Sequence, residues 1–443
     1  MRRRHPRPPS TAPIEVVIES LSHEGRGVAR IDGKTIFVDG ALPGERVRAR
    51  YLREHRRYDE TVATEILEPA PTRVEPPCRH YGVCGGCSLQ HLDHEAQLRH
   101  KEAILLEQLH HAGGIAPHSL LAPLTSPGEG YRQRGRLSAR FLANKHRAQV
   151  GFRERRSNMI TEITHCEVLH PRVGALMPDL SALVSSLSVA DAVPQIELAV
   201  SEQDCGLVLR HVRSISSADH ERLLAFETEH DVRFYLQPGG ETTVVPLEPA
   251  RPPVLSYRLE EFDVEIRFGP TDFTQVNFHI NRQLVARVVE LLNPDAQSQV
   301  LDLFCGLGNF SLPLARRAGN VTGVEGLAHL VAGARDNAAR NGIDNAEFLV
   351  ANLAREDLEE PFLQRPWGRI LLDPPRIGAL EVLTLLNHTG VQALVYVSCN
   401  PATLARDAAL LVNEKGYVLD AAGVVDMFPH TSHVECLAKF TRQ

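Results

Sequence analysis

Ser398-Cys399-Asn400-Pro401 follows directly on the apolar run 393–398, which has the length and branched content of a buried strand. A thiol at the carboxyl end of a strand is placed to act as a nucleophile. A free cysteine taken alone is more often a small buried hydrophobe. The Asn-Pro that follows this one, at a strand end, favours chemistry. The reaction that needs such a thiol is attack on an electron-poor ring. Carbon 5 of uracil is too weakly nucleophilic to take a methyl group. Thiolate addition at carbon 6 makes an enolate whose carbon 5 can, and a base must then remove the carbon 5 proton so the thiolate can leave. Glu435, in His433-Val434-Glu435, is the candidate base. Cys205, Cys305 and Cys436 read as core packing.

The methyl donor needs a site of its own. Asp302-Leu-Phe304-Cys-Gly306-Leu-Gly308-Asn309 ends an apolar strand in a tight turn, where glycines let the backbone approach a nucleoside closely. Glu325 ends the next strand, 17 residues after Gly308, where a carboxylate can accept from two ribose hydroxyls. The third glycine of a dinucleotide fingerprint is missing, because position 311 is Ser; this favours a methyltransferase over a nicotinamide enzyme. Asp373-Pro374-Pro375-Arg376 occupies the place where amino-group methyltransferases carry Asn-Pro-Pro-Tyr, which argues against an exocyclic amine as target.

A third group of residues points to a metal. Cys78, Cys84 and Cys87 form a tight triplet in a Pro/Gly-rich loop, and Cys166 is the candidate fourth ligand. Four thiolates suit zinc or an iron–sulfur cluster, and spacing does not separate them. His80, His91 and His94 keep a mixed Cys/His zinc site open.

The elements that must position these groups follow from periodicity. Residues 14–67 alternate apolar and polar in about five short strands broken by Asp39-Gly40 and Pro43-Gly44, the pattern of a small barrel of the OB type. Pro69, Pro71, Pro76 and Pro77 mark a linker, and His94 to His111 reads as a helix closed by Gly113-Gly114. Residues 131–250 mix weak strand and helix signals. From about 270 the chain alternates strand and helix, with strands at 300–304, 321–325, 348–350, 369–373 and 393–398, which predicts a doubly wound parallel sheet with ligands at the carboxyl ends of its strands.

Charge divides the chain. Residues 1–156 carry a net charge of +8 and the remainder −15, so a basic half is joined to an acidic body. The basic excess sits at Arg46 to Arg57, six arginines beside Tyr51, and between Tyr131 and Arg156. Genome-driven arginine enrichment accounts for part of it, since only five of the 48 basic residues are Lys, but clustering beside aromatic residues favours nucleic acid. Eight cysteines in 443 residues exclude a disulfide scaffold, no apolar run is long enough for a bilayer, and Met1 to Pro9 is basic and Pro-rich without a secretory apolar core. The expectation is a cytoplasmic protein that binds neither membrane nor DNA and is a monomer.

Together these motifs resemble the RNA uracil-5-methyltransferase family, and the resemblance covers nearly the whole chain. Ser22-His-Glu-Gly-Arg-Gly-Val-Ala29 and Ala41-Leu-Pro-Gly-Glu45 look like a TRAM domain. Phe268-Gly-Pro-x-Asp272-Phe-Thr-Gln275-Val-Asn277 is similar to the family's segment that brings Gln275 to S-adenosylmethionine. By the same matching Phe304, Asn309, Glu325, Asn352 and Asp373 line that cofactor. Ser398-Cys399-Asn400-Pro401 matches the nucleophile motif, and Asp426-Met-Phe-Pro-His430-Thr-x-His433-Val-Glu435 the base segment. The resemblance implies Cys78, Cys84, Cys87 and Cys166 as ligands of a [4Fe-4S] cluster, with zinc as the alternative. It implies an α/β protein with an added small β-barrel: an OB-like TRAM barrel at 12–70, a central mixed α/β RNA-binding domain with the iron–sulfur site at 71–265, and a Rossmann-like methyltransferase domain at 266–443. The transfer-RNA branch of the family lacks the barrel and the cluster cysteines, so their presence points to 23S ribosomal RNA, held by Arg46–Arg57 and by Arg132, Arg134 and Arg136. The alternatives are a transfer-RNA or other ribosomal uracil-5-methyltransferase, and a non-catalytic RNA-binding or redox-sensing protein on a degenerate methyltransferase fold.

Overall fold

A computed structural model describes residues 12–442; the basic run Met1 to Pro9 lies outside the described residues. The chain divides into two compact units. The first holds residues 12–101 with Glu154–Ser157 and Phe428–His433. The second holds Glu102–Arg153, Asn158–Met427 and residues 434–442.

The first unit is built on six strands: β1 (Ile14–Val17), β2 (Ser20–Leu21), β3 (Gly27–Ile31), β4 (Lys34–Asp39), β5 (Arg46–Glu54) and β6 (Tyr58–Glu68). Their order in the sheet is β1-β5-β6-β4-β3-β2, antiparallel except for β4 with β6. The sequence predicted about five strands here and the structure has six. Alternation puts Val16, Ala29, Ile36, Val38, Val47 and Ala49 on one buried face. The β3–β4 hairpin turns on Asp32-Gly33, both at positive φ (49° and 79°), as a tight two-residue connection requires. Glu45, the last residue of the Ala41–Glu45 motif, is fully buried. It accepts hydrogen bonds from the Leu42 and Ala70 amides at 2.8 and 3.2 Å and pairs with Arg73. Burial alone would raise this carboxyl, but the Arg73 guanidinium and the two amides outweigh it and hold the group below the ordinary glutamate range.

The outer face of β5 differs from the sequence reading. Arg46 pairs with Glu15 and Glu68, and Arg48 with Glu15 and Glu65. These carboxylates arrive on β1 and β6 by strand register, so two of the six arginines of the expected RNA-binding stripe are neutralised within the sheet.

Helix α1 (His94–Gly113) carries the chain from the first unit into the second. There β7 (Ser119–Leu120) precedes β8 (Arg134–Leu142), β9 (Arg147–Gly151), α2 (Pro171–Gly174), α3 (Met177–Ser186), β10 (Gln195–Val200), β11 (Cys205–Arg210), α4 (Ser217–His230), β12 (Arg233–Gln237) and β13 (Val245–Pro246). Strands β8 to β13 make a sheet of order β13-β12-β11-β10-β8-β9. A hairpin, β14 (Ser256–Leu259) and β15 (Val264–Arg267), leads to α5 (Phe278–Leu292).

The alternation predicted beyond residue 270 is then present: β16 (Gln299–Leu303), α6 (Ser311–Ala315), β17 (Asn320–Glu325), α7 (Ala328–Arg340), β18 (Ala346–Val350), β19 (Arg369–Leu372), α8 (Leu380–Leu385), β20 (Ala393–Ser398), α9 (Pro401–Asn413), β21 (Tyr417–Val425) and β22 (Glu435–Arg442). The sheet order is β18-β17-β16-β19-β20-β22-β21-β7. Its first five strands are parallel, and β22 and β21 add antiparallel. Strand order reverses between β16 and β19, the topological switch point at which such sheets bind ligands. Leu301, Leu303, Val324, Ile370, Leu372, Leu394 and Tyr396 form the core beneath that point. Among the described residues no helix is long and apolar enough to cross a membrane.

Candidate active site

The turn after β16 combines three left-handed residues, Phe304 (φ 66°), Gly306 (54°) and Gly308 (89°). A bulky residue rarely adopts this conformation, so Phe304 is held in place by its surroundings; its amide donates to the Val324 carbonyl at 2.8 Å. Glu325, at the end of the neighbouring strand, accepts from the Gly306 amide at 3.2 Å and the Leu327 amide at 3.1 Å. The predicted pair therefore meets: glycine turn and acidic strand end face one another across one strand spacing.

Gln275 and Asp373, almost a hundred positions apart, also come together. Gln275 Nε2 donates to Asp373 Oδ2 at 3.4 Å. Desolvation pushes the Asp373 carboxyl up to about 7. Asn352 is exposed and closes a local turn, its Oδ1 accepting from the Ala354 amide at 3.1 Å. The Asn309 side chain is turned inward: its Oδ1 accepts from Tyr257 Oη and Asn281 Nδ2, both at 2.8 Å, and its Nδ2 donates to Asn281 Oδ1 at 3.0 Å.

Asp302 was marked by the sequence only as a strand end. It is fully buried, takes a hydrogen bond from Ser311 Oγ, and leaves Oδ1 without a partner. Burial raises its carboxyl to about 7, with the charges of Asp373 and Glu325 adding to the effect.

Arg132, Arg134 and Arg136 do not face outward as a set. Arg134 donates to the carbonyls of Pro270 and Asp272 at 2.9 and 2.7 Å, Arg132 donates to the carbonyl of Arg134, and Arg136 pairs with Glu197. The expected RNA contact is thus, at Arg134, a brace on the loop that leads to Gln275. A guanidinium satisfies two carbonyls at once, and no local pattern in the sequence distinguishes that use from phosphate binding.

Strand register brings the segments of the predicted nucleophile and the predicted base side by side. Strands β20 and β22 are antiparallel, with Ser398 opposite Cys436 as their last pair. Cys399 and Glu435 are the residues adjoining that last pair on the two chains. Cys399 is half-buried and Glu435 buried. Desolvation raises the Cys399 thiol, the negative charges of Glu435 and Asp373 raise it further, and Arg376 works against them. The Asn-Pro after the cysteine starts a helix. Asn400 caps α9 by accepting from the Ala402 amide, and Pro401 takes the first helical position. Asn400 Nδ2 and Thr403 Oγ1 also donate to the Arg376 carbonyl at 3.0 and 3.3 Å, which fastens the loop after Asp373 beside Cys399.

Cys78, Cys84 and Cys87 lie half-buried in a loop of the first unit, where the Gly86 amide donates to Cys84 Sγ at 3.4 Å. Tyr81 Oη sits 2.6 Å from His91 Nδ1, and burial pushes His91 down to about 4. Cys166 is buried in the second unit. Among the described residues no three His, Cys, Asp or Glu side chains are gathered as a metal ion would need. The donor types suit a cluster, but the arrangement does not present a formed site.

The sequence matches the family described as tRNA (Uracil-5-)-methyltransferase over residues 93–443, and the TRAM domain over residues 13–58. A protein of Nitrosococcus oceani named 23S rRNA (uracil(1939)-C(5))-methyltransferase RlmD is 51% identical over 441 residues, spanning 98% of this chain and 98% of its own. One of the same name from Alkalilimnicola ehrlichii is 49% identical over 442 residues, spanning 100% of this chain and 98% of its own. The crystal structure of Pyrococcus abyssi tRNA (uracil-54, C5)-methyltransferase with S-adenosyl-L-homocysteine superimposes with a TM-score of 0.74 at 26% identity, covering 96% of this chain and 99% of that one.

Proposed function

The chain belongs to the tRNA (Uracil-5-)-methyltransferase family and carries an N-terminal TRAM domain; on that premise we propose that it methylates carbon 5 of one uridine in 23S ribosomal RNA, giving 5-methyluridine. The observation that carries the reading is the β20–β22 register, whose last pair Ser398–Cys436 is followed on the one strand by Cys399 and preceded on the other by Glu435, with the Glu435 charge felt by the Cys399 thiol. S-adenosylmethionine supplies an electrophilic methyl group. Glu325 suits its ribose hydroxyls, while Gln275, Phe304 and Asp373 line the remainder of the cleft, with Asn352 at its rim. Asn309 acts through the turn it anchors.

Cys399 loses its proton to solvent and its sulfur bonds to carbon 6 of the uracil. The carbon 5–carbon 6 π electrons move towards the carbon 4 oxygen, and carbon 5 would then take the methyl group as the methyl–sulfonium bond breaks, with S-adenosylhomocysteine as the leaving group. Glu435 accepts the carbon 5 proton, the double bond re-forms and the carbon 6–sulfur bond breaks, returning Cys399. The uridine must leave its stack to reach the thiol. The test is transfer of labelled methyl groups to 23S RNA and, separately, to transfer RNA, followed by mapping. A single 5-methyluridine in 23S RNA, with uridine 1939 of the relatives' names as the first position to inspect, supports the reading. Label in transfer RNA alone overturns the substrate.

We read residues 12–70 as an OB-like barrel, 71–265 as a central RNA-binding domain and 266–443 as a Rossmann-like catalytic domain. On the barrel, RNA is met by Arg50, Arg53, Arg56 and Arg57, which are exposed and carry no ion pair among the described residues, rather than by Arg46 and Arg48. Beside them His55 stacks on Tyr58, Tyr58 meets Phe37 edge-on, and the Arg26 guanidinium lies 4.6 Å over the Phe37 ring. Such a cation–aromatic run suits unpaired bases. R53E and R57E should each weaken 23S RNA binding by about three- to tenfold and lower the slope of affinity against salt. R48A should change neither by more than about twofold, because it removes a cation already neutralised. Equal losses in a filter-binding titration would return the contact to the paired stripe.

Cys78, Cys84, Cys87 and Cys166 remain the candidate ligands of a [4Fe-4S] cluster, with zinc as the alternative; the donor types alone support this, and no step of the reaction uses it. Iron, sulfide and zinc analysis of protein purified without oxygen decides between them.

A further inference from the structure

We propose that Asn337 is a positioning residue that ties the cofactor turn to the strand leading to Gln275, and so sets the width of the S-adenosylmethionine cleft; the inference rests on the cofactor reading above. Asn337 lies on α7 and is 1% exposed. Its Oδ1 accepts from the Arg267 amide at 3.0 Å, and its Nδ2 donates to the Arg267 carbonyl at 3.1 Å. The side-chain amide therefore pairs with one residue of β15 as another strand would. The second Nδ2 hydrogen goes to the Leu307 carbonyl at 3.2 Å. Leu307 stands between Gly306 and Gly308, whose positive φ angles rule out a regular ladder for its carbonyl.

The two structures joined in this way are the two sides of the cleft. Leu307 belongs to the turn that faces Glu325. Arg267 starts the run to Gln275, and that run is held by Phe268, whose amide donates to Leu255, and by Arg134 on Pro270 and Asp272. The turn is fixed at its other end by Asn309, which bonds to Tyr257 of the same β14–β15 hairpin and to Asn281 of α5. Helix α7 packs tightly here, since a Cβ on Gly333 would fall 2.6 Å from Leu307 Cδ2. A turn that contains two left-handed glycines has little rigidity of its own, so these side-chain amides supply what its backbone lacks.

Asn341 provides an internal control. Four residues further along, it pairs with Glu265 in the same way: Oδ1 accepts from the amide and Nδ2 donates to the carbonyl, both at 2.8 Å. It holds the same strand, and Nδ2 also donates to the backbone carbonyl of Asn337 at 2.7 Å rather than to the turn, so a purely structural role predicts equal consequences for the two residues.

The experiment measures S-adenosylhomocysteine affinity by calorimetry, methyl-transfer kinetics and thermal midpoint for the full-length wild type, N337A, N337D and N341A. Both alanine variants should lower the midpoint. N337A should raise the dissociation constant and the KM for S-adenosylmethionine by about tenfold with kcat at saturation within about twofold, the pattern of lost binding rather than lost chemistry. N341A should leave affinity within about twofold. N337D keeps the shape and the bond from the Arg267 amide but loses both donated bonds; it should reproduce the affinity loss, and it carries the test if N337A does not fold. Unchanged affinity in the Asn337 variants, or an equal rise in N341A, overturns the inference while leaving the cofactor reading intact. A wild type that binds no S-adenosylhomocysteine overturns both.

Discussion

C399A should reduce methyl transfer by about 10⁴-fold or more while leaving S-adenosylhomocysteine affinity within about twofold. The asymmetry follows from where the residue sits. Cys399 lies just beyond β20, where its thiol feels the charge of Glu435, whereas the proposed cofactor side is the turn after β16, the end of β17 and the Gln275 segment. Removing the sulfur deletes the only group proposed to bond to carbon 6, and no neighbouring side chain replaces it: Cys436 is fully buried and its thiol is pushed upwards by desolvation and by the adjacent charges. The wild-type pH profile provides a second reading. Desolvation, Glu435 and Asp373 favour the neutral thiol of Cys399 and outweigh the opposing Arg376 charge and a backbone hydrogen bond, so kcat/KM should rise with pH through neutrality into the alkaline range. R376A removes the opposing charge and should move that rise to higher pH. Retained turnover in C399A would end the nucleophile assignment, and a flat profile would mean that thiol deprotonation does not limit the reaction.

Much of this site was legible in the residues because its motifs lie at the ends of strands. The five parallel strands were predicted to within two residues of their observed limits, since each carries branched or aromatic apolar residues in a short run bounded by turn or charged residues. Glycine turn, Glu325 and Cys399 then fall at carboxyl ends by topology. What the sequence could not supply was pairing between distant residues. Arg48 looks identical in the sequence whether it meets a phosphate or Glu15, and only the register of β1 against β5 decides. Arg134 sits in a basic run, yet its partners are carbonyls more than 130 positions away. Asn309 reads in the sequence as a cofactor-lining residue, with no sign that its amide bonds Tyr257 and Asn281. Asn337 gave no signal, because an asparagine inside a helix resembles a solvated one until the strand beside it is known. The pairing of Cys399 with Glu435 was proposed from chemistry and family resemblance, and the antiparallel return of β22 supplies its geometric reason.

That return leads to the second large expectation: E435Q should halt the reaction after methylation and accumulate a covalent protein–RNA adduct visible as a retarded band in a denaturing gel. Glutamine keeps the volume and one hydrogen-bonding oxygen of the glutamate, so the buried position at the start of β22 is preserved. It cannot accept the carbon 5 proton. Addition of Cys399 and acquisition of the methyl group come before that proton must leave, so both should still proceed, the first of them helped. Glu435 contributes negative charge that raises the Cys399 thiol, and its neutral replacement should ease thiolate formation. The adduct should therefore form at lower pH than wild-type turnover requires, contain one methyl group per RNA, and fail to appear in C399A/E435Q. An adduct without the methyl group would place Glu435 at the methyl-transfer step itself, after the thiol has added. Loss of transfer with no adduct would mean that Glu435 positions the uracil rather than deprotonating it. The geometry favours the base role: Cys399 bonds at carbon 6, the neighbouring ring carbon carries the proton to be lost, and Glu435 is the carboxylate beside the last β20–β22 pair whose charge the Cys399 thiol feels.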